Sequence, residues 1–269
     1  MNVSEINIYP IKSLRGISLQ ESVVEDRGLR YDRRWMIVDA ANRFMTQREF
    51  PPMALIKVVV NKSHLTALID SKEIEINLVP DTDNLADVTV WNSEVTARVY
   101  DREINLWFSE ALQTDCRLVQ MTEESKRMVN PEYALRKFED IVSFADGYPF
   151  MMIGEGSLAD LNSRLETPLP MNRFRPNLVV AGFAAFAEDR WKKIRVGGTI
   201  FHVVKPCERC VITTVDQKRG EKDGKEPLKT LATYRKHNGE VIFGQNLIAE
   251  NAGEVIRVGD NVEVLEMKS

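Results

Sequence analysis

Five short apolar–polar alternations follow one another between Ala54 and Tyr100, at 56–60, 65–69, 74–79, 88–91 and 95–99, with only turn-like residues between them. Nothing in that stretch has the length and 3.6-residue period of a crossover helix. The spacing therefore predicts a small antiparallel barrel or sandwich rather than βαβ units, with Asn92-Ser93 as a hairpin tip. The same rhythm extends to both sides. Strands are expected at 3–8, 18–24, 35–38, 118–120 and 150–153, then at 191–204 around a Gly197-Gly198 turn and at 241–248 after the Asn238-Gly239 turn. A strand–turn–strand from Val255 has the pattern of a closing hairpin. Helices are few. Ile104, Leu106, Trp107, Phe108, Ala111 and Leu112 make one broad apolar face, Ser157 with Asp160 has the look of a cap opening a helix to Arg164 or Leu165, and Pro227 opens a short one.

At 269 residues the chain is one large domain or two ordinary ones, and no low-complexity linker marks a border. A division into 1–118 and 119–269 is the expectation, with 122–140 as a solvated polar segment carrying Arg127, Arg136 and Lys137. A composition of 43% hydrophobic and 28% charged residues can bury a real core. The net charge of −4 argues against a nucleic-acid binder. Three cysteines fit a reducing compartment better than a disulfide framework. No basic, then apolar, leader opens the sequence, and no run has the length of a membrane span, so a cytoplasmic protein with no membrane partner is expected.

The chemistry-bearing stretch is Lys205-Pro-Cys-Glu-Arg-Cys-Val-Ile-Thr-Thr-Val-Asp216, read as strand, bend, strand with Cys207 and Cys210 at the bend. A closed zinc site needs four ligands, and only Cys116, His64, His202 and His237 remain as donors, with no second paired spacing. A thioredoxin-type dithiol would open a helix, whereas Ile212-Thr-Thr-Val215 favours a strand. One thiolate ligating a soft transition metal is a third chemistry, and two half-buried thiols without a role a fourth.

Elsewhere, two basic turns in an acidic protein, Ile11-Lys-Ser-Leu-Arg-Gly16 and Gly28-Leu-Arg-Tyr-Asp-Arg-Arg34, suggest an anion site. In Met171-Asn-Arg-Phe-Arg-Pro-Asn177, Arg173 and Arg175 alternate along an extended segment, and Pro176 is expected to hold Arg175 in β or PPII geometry. A rigid guanidinium fork suits bidentate phosphate binding. Asp146, in Ala-Asp-Gly-Tyr-Pro, marks a turn.

The stretch around the cysteine pair resembles the core motif of the MOSC family, named for the C-terminal domain of molybdenum-cofactor sulfurases. Within it the likeness is to the amidoxime-reducing branch and its bacterial counterparts without a fused ferredoxin domain. Tyr-Pro-Ile-Lys-Ser, Leu-Arg-Tyr-Asp-Arg-Arg-Trp, Phe-Arg-Pro-Asn and Phe-Gly-Gln-Asn are similar to other family elements. The resemblance implies a mixed, mainly β (α+β) fold: an N-terminal MOSC-type β-barrel and a C-terminal MOSC β-barrel with a few peripheral helices. It implies Cys210 as the sulfur ligand to molybdenum and Asp146 as a catalytic neighbour. Lys12, Ser13, Arg33, Arg175 and Asn246 become contacts to a molybdenum cofactor (molybdopterin, or its nucleotide form). Arg209 and Lys205 flank the ligand sulfur, and Arg209 joins the cofactor contacts. The implied reaction is two-electron reduction of an N-hydroxylated small molecule. No four-cysteine iron–sulfur set is evident, so electrons are expected from a separate ferredoxin- or flavodoxin-like protein. Pyridoxal phosphate enters the family through a desulfurase domain that is not evident here. The alternative is a non-catalytic cofactor carrier, or a persulfide relay on Cys207 or Cys210.

Overall fold

The strand Asn2–Ile8 does not stay with the N-terminal half. In the computed structural model, which describes residues 1–268, it pairs antiparallel with Leu178–Ala181 and with Ile17–Leu19. It thereby joins a large sheet that continues through Phe150–Gly154, Glu240–Ala249, Thr199–Glu208, Trp191–Val196 and Val262–Met267. The sheet closes on itself at one end. Val3 N–H donates to Asp260 O at 2.9 Å, Gly259 N–H to Val3 O at 2.8 Å and Val262 N–H to Met1 O at 2.9 Å.

Side chains alternate across this wall as strand geometry requires. Phe150 and Met152 point into the barrel with Ile6, Leu178, Phe201 and Leu247. Met151 and Ile153 point outward, under a second cluster with Leu161, Phe174, Leu231 and Phe243. Both faces are buried, so the strand reads as an unbroken apolar run rather than an alternation.

A second, smaller barrel lies in the N-terminal half. Trp35–Val38, Arg117–Met121, Ser93–Val99 and Leu85–Val90 pair in that order, and backbone bonds from Phe44 and Met45 close the gap between its edges. Val38, Val88, Val95, Val119, Met121 and Phe144 fill it. Lys57–Val60, His64–Ile69 and Lys72–Asn77 form a three-stranded sheet, which shares a core with the helix Arg102–Leu112. Asp101 caps that helix by accepting from Ile104 N–H, and Ile104, Phe108 and Leu112 are its buried stripe. The fold is thus mixed and mainly β. A cut after residue 118 would fall inside Arg117–Met121, which is held by Trp35–Val38. No described helix is long and apolar enough to cross a membrane.

Several local expectations fail for physical reasons. The stretch 18–24 is two strands, Ile17–Leu19 and Glu21–Glu25, committed to different sheets. The hairpin tip is Trp91-Asn92, because Ser93 already pairs with Val90. Ser157 is no cap. The helix is Glu155–Ser163, and the Ser157 hydroxyl instead donates to buried Glu188 at 2.6 Å. The last two strands are not a hairpin, since Val255–Arg257 pairs with Glu21–Glu25 and Val262–Met267 with Trp191–Val196.

The run after Cys210 is not a strand either. Val211–Thr214 forms a 3₁₀ turn, in which the Thr213 hydroxyl donates to Cys210 O at 2.9 Å and the Thr214 hydroxyl to Val211 O at 2.8 Å. Those local bonds outweigh the β preference of the branched side chains.

Candidate functional site

Topology gathers the site. Strand pairing sets the end of Asn2–Ile8 beside the start of Leu178–Ala181, which runs parallel to Phe150–Gly154. Asn246, on Glu240–Ala249, pairs with both Met151 and Lys205. The turns carrying Lys12, Asp146, Arg175 and the cysteine pair therefore emerge at one end of the large barrel. They meet the turn carrying Arg33 there, because Arg33 N–H donates to Tyr9 O at 3.0 Å.

All eight candidates, Lys12, Ser13, Arg33, Asp146, Arg175, Arg209, Cys210 and Asn246, line one open cleft. Three of them hold the left-handed backbone region, Ser13 at φ 66°, Arg33 at φ 50° and Arg175 at φ 58°. Non-glycine residues seldom adopt it, and such outliers cluster where surrounding structure over-determines a functional geometry. For Arg175 this overturns the β or PPII expectation. Arg33 Nη2 donates to Arg175 O at 3.3 Å, and the tertiary bond prevails over the bias that Pro176 imposes. Nor do Arg173 and Arg175 share an extended face. Met171–Arg173 is a 3₁₀ turn, and Arg173 is buried on Thr214 O, Asp216 and Asp223, where it anchors the segment behind Cys210.

Arg33 and Arg175 both lie against the Tyr9 ring, 4.5 and 4.1 Å from its centroid. Asp32 neutralises Arg33 at 2.6 Å, but Arg175 Nη2 is buried with no partner among the described residues. Burial, with Arg33 adding to it, pulls the Arg175 guanidinium down to about 10. A buried donor without an acceptor costs roughly 1–3 kcal/mol. An anion in the cleft would offset that cost.

Lys12 is buried, and its ammonium donates to Phe144 O at 2.7 Å and Asp146 Oδ1 at 2.6 Å. Burial lowers it to about 8 against the pull of Asp146. The Asp146 side chain is 59% exposed to the water of the cleft. Partial desolvation works against its charge, but Lys12 and Arg48, with hydrogen bonds from Lys12 and Trp91, hold its carboxyl well below the usual carboxylate range.

The cysteines differ. Arg209 Nη1 donates to Cys207 Sγ at 2.9 Å, and its Nη2 donates to Phe174 O. Arg209 thus engages Cys207, whereas Cys210 Sγ has no hydrogen-bond partner among the described residues. The cleft lining includes neither a histidine nor Cys116, which is buried in the core of the N-terminal half.

Sequence reasoning missed four contributors. Arg127, expected on a solvated surface, is buried and donates to the carbonyls of Ser143 at 3.1 Å, Ala145, and Asp146 at 2.7 Å. Arg48 reaches Asp146 Oδ2 at 3.6 Å, and Trp91 Nε1–H reaches Oδ1 at 3.1 Å. Asn177, inside the quoted Phe-Arg-Pro-Asn, lines the cleft and accepts from Arg33 at 3.4 Å. Only Asn177 carried a local signal.

Residues 1–115 match the MOSC N-terminal beta barrel domain, and residues 139–263 match the MOSC domain. Mitochondrial amidoxime-reducing component 1 of Mus musculus is 36% identical over 98% of this chain and 82% of its own length. Mitochondrial amidoxime reducing component 2 of Rattus norvegicus is 35% identical over 97% and 82%. Molybdenum cofactor sulfurase of Oryza sativa subsp. japonica is 30% identical over 97% of this chain, which spans 35% of that longer protein. With both of its halves matched and relatives aligned along nearly its whole length, the chain belongs to the MOSC-domain family that the amidoxime-reducing components share.

Proposed function

We propose that this protein is a molybdenum-cofactor-binding oxidoreductase that reduces N-hydroxylated small molecules, with electrons drawn from a separate ferredoxin- or flavodoxin-like protein. The observation that carries the reading is the buried, unpartnered Nη2 of Arg175 in the same cleft as Cys210. A pterin dithiolene bearing a phosphate requires one soft sulfur donor and several anion-pairing cations. Cys210 fits the first demand, as a half-buried sulfur with no competing partner among the described residues. Lys12, Arg33 and Arg175, with the strained turn at Ser13, fit the second. Asn246 and Arg209 complete the polar lining.

When bound, the cofactor would supply the two-electron couple for cleaving the N–O bond. In the net reaction one N–O bond breaks, two electrons and two protons are consumed, and an N–H compound and water leave. Lys12 and Asp146 are the residues suited to handle those protons. The Lys12 ammonium, brought down to about 8, holds a proton that can be released near neutral pH, and Asp146 stays ionised and holds that ammonium in place.

Protein made in a molybdenum-replete host is expected to carry stoichiometric molybdenum and to convert benzamidoxime to benzamidine with dithionite-reduced viologen. Cys210→Ala is expected to lose both properties. Full molybdenum without turnover would indicate a carrier, and a Cys210→Ala variant that keeps its molybdenum overturns the ligand assignment.

A further inference from the structure

The hairpin between Leu85–Val90 and Ser93–Val99 turns on Trp91, which sits in the left-handed region at φ 54°. Positive-φ positions in such turns favour glycine, asparagine or aspartate, and a bulky residue there is strained. The barrel does not need an indole at this tip, since the side chain leaves the core and stays 45% exposed. It is nevertheless fixed from three sides. Its Nε1–H donates to Asp146 Oδ1 at 3.1 Å, the Arg48 guanidinium lies 4.6 Å from its ring centroid, and the Phe44 ring packs at 5.1 Å, tilted by 54°. Arg48 is tied to the same carboxylate at 3.6 Å. A strained, exposed and immobilised aromatic at the edge of a polar cleft has the properties of a recognition surface rather than of core.

We propose that Trp91, backed by Arg48, forms an outer subsite that takes the flat aromatic or heteroaromatic body of the substrate while its nitrogen-bearing head enters beside Asp146. This rests on the reductase reading only for the chemistry of the head. An N-hydroxylated amidine carries N–H groups that a carboxylate accepts, and the Asp146 carboxylate is open to the cleft. The indole edge is one hydrogen bond from that carboxylate, so with the head on Asp146 a ring bonded directly to the amidine carbon would extend to the indole, and a methyl group would fall short of it. Selection for aryl over small alkyl substituents follows, because stacked aromatic pairs contribute beyond the area they bury.

Two measurements test this. In the cofactor-free chain, the emission of Trp91, taken as wild type minus Trp91→Phe, is expected to be quenched saturably by benzamidoxime and by benzamidine, and not by acetamidoxime. In loaded protein, Trp91→Ala should raise KM for benzamidoxime about fivefold more than it raises KM for acetamidoxime, and Trp91→Phe should restore that discrimination. Equal KM changes for both substrates, or no saturable quenching, would overturn the subsite. Saturable quenching in a protein that never turns over upholds the subsite and sinks the reductase reading; turnover without discrimination does the reverse.

Discussion

The Lys12 ammonium lies 2.6 Å from the Asp146 carboxylate and joins positions 134 residues apart, one from the turn after the first strand and one from the turn before Phe150–Gly154. The pair has a pH signature with two opposite signs. Lys12 releases its proton near pH 8 in the folded protein, against its usual 10.5 in the unfolded chain. Between those values the unfolded state binds more protons, so the contribution of this group to stability rises with pH. Below pH 8 both states are protonated and the cost of burying the charge is present in full. Anion affinity runs the other way, because a cation leaves the cleft above pH 8. Turnover and molybdenum retention are therefore expected to fall above pH 8 while the urea midpoint holds or rises. Lys12→Arg, which stays charged, should move the fall in turnover to higher pH. A basic limb left in place by Lys12→Arg would assign it to another group.

Arg127 closes the loop that presents Asp146, with its guanidinium on the carbonyls of Ser143, Ala145 and Asp146. Arg127→Met removes three donors from oxygens that have little water to replace them. A loss of about 3 kcal/mol in unfolding free energy is expected, within the range for breaking a buried hydrogen-bond network. Urea denaturation checks it. A loss below about 0.5 kcal/mol would mean that the loop is held by its turn residues alone.

The architecture was legible where period and punctuation agreed. Short alternations between turn residues marked the strands from Lys57–Val60 to Ser93–Val99, and Gly197 and Gly239 marked hairpins. Residues bound by distant contacts were not legible. Arg127 sits in a charged, polar stretch whose local statistics are those of a surface. Its burial is decided by carbonyls 16 to 19 positions away. The backbone of Arg175 is set by Arg33, from the other half of the chain, and local rules for the residue before a proline pointed elsewhere. The site candidates themselves came from motif likeness; periodicity alone would not have joined Lys12 to Cys210.

Arg175 is a place where binding capacity and stability should part. Its Nη2 is buried without a partner among the described residues, and burial already depresses its guanidinium to about 10. Arg175→Gln is expected to cut molybdenum content at least tenfold, the loss of one charge-assisted anion contact. In cofactor-free protein the thermal midpoint should stay level or rise, since a desolvated cation has gone. Elemental analysis beside calorimetry decides. Parallel losses of metal and stability would show that Arg175 holds up the fold instead.

Cys207 and Cys210 separate in the same manner. Arg209 donates to the Cys207 sulfur, and Arg209 Nη2 also holds Phe174 O, next to Arg175. The part expected of Cys207 is thus to steady Arg209, which serine can share through its own acceptor lone pairs. Cys207→Ser should keep molybdenum content within about twofold of wild type, whereas Cys210→Ser, a hard donor in place of a soft one, should lose most of it. The contrast rests on sulfur at one position and geometry at the other. If instead Cys207→Ser loses the metal and Cys210→Ser keeps it, the ligand is Cys207, and the Arg209 contact marks the metal-binding sulfur rather than its neighbour.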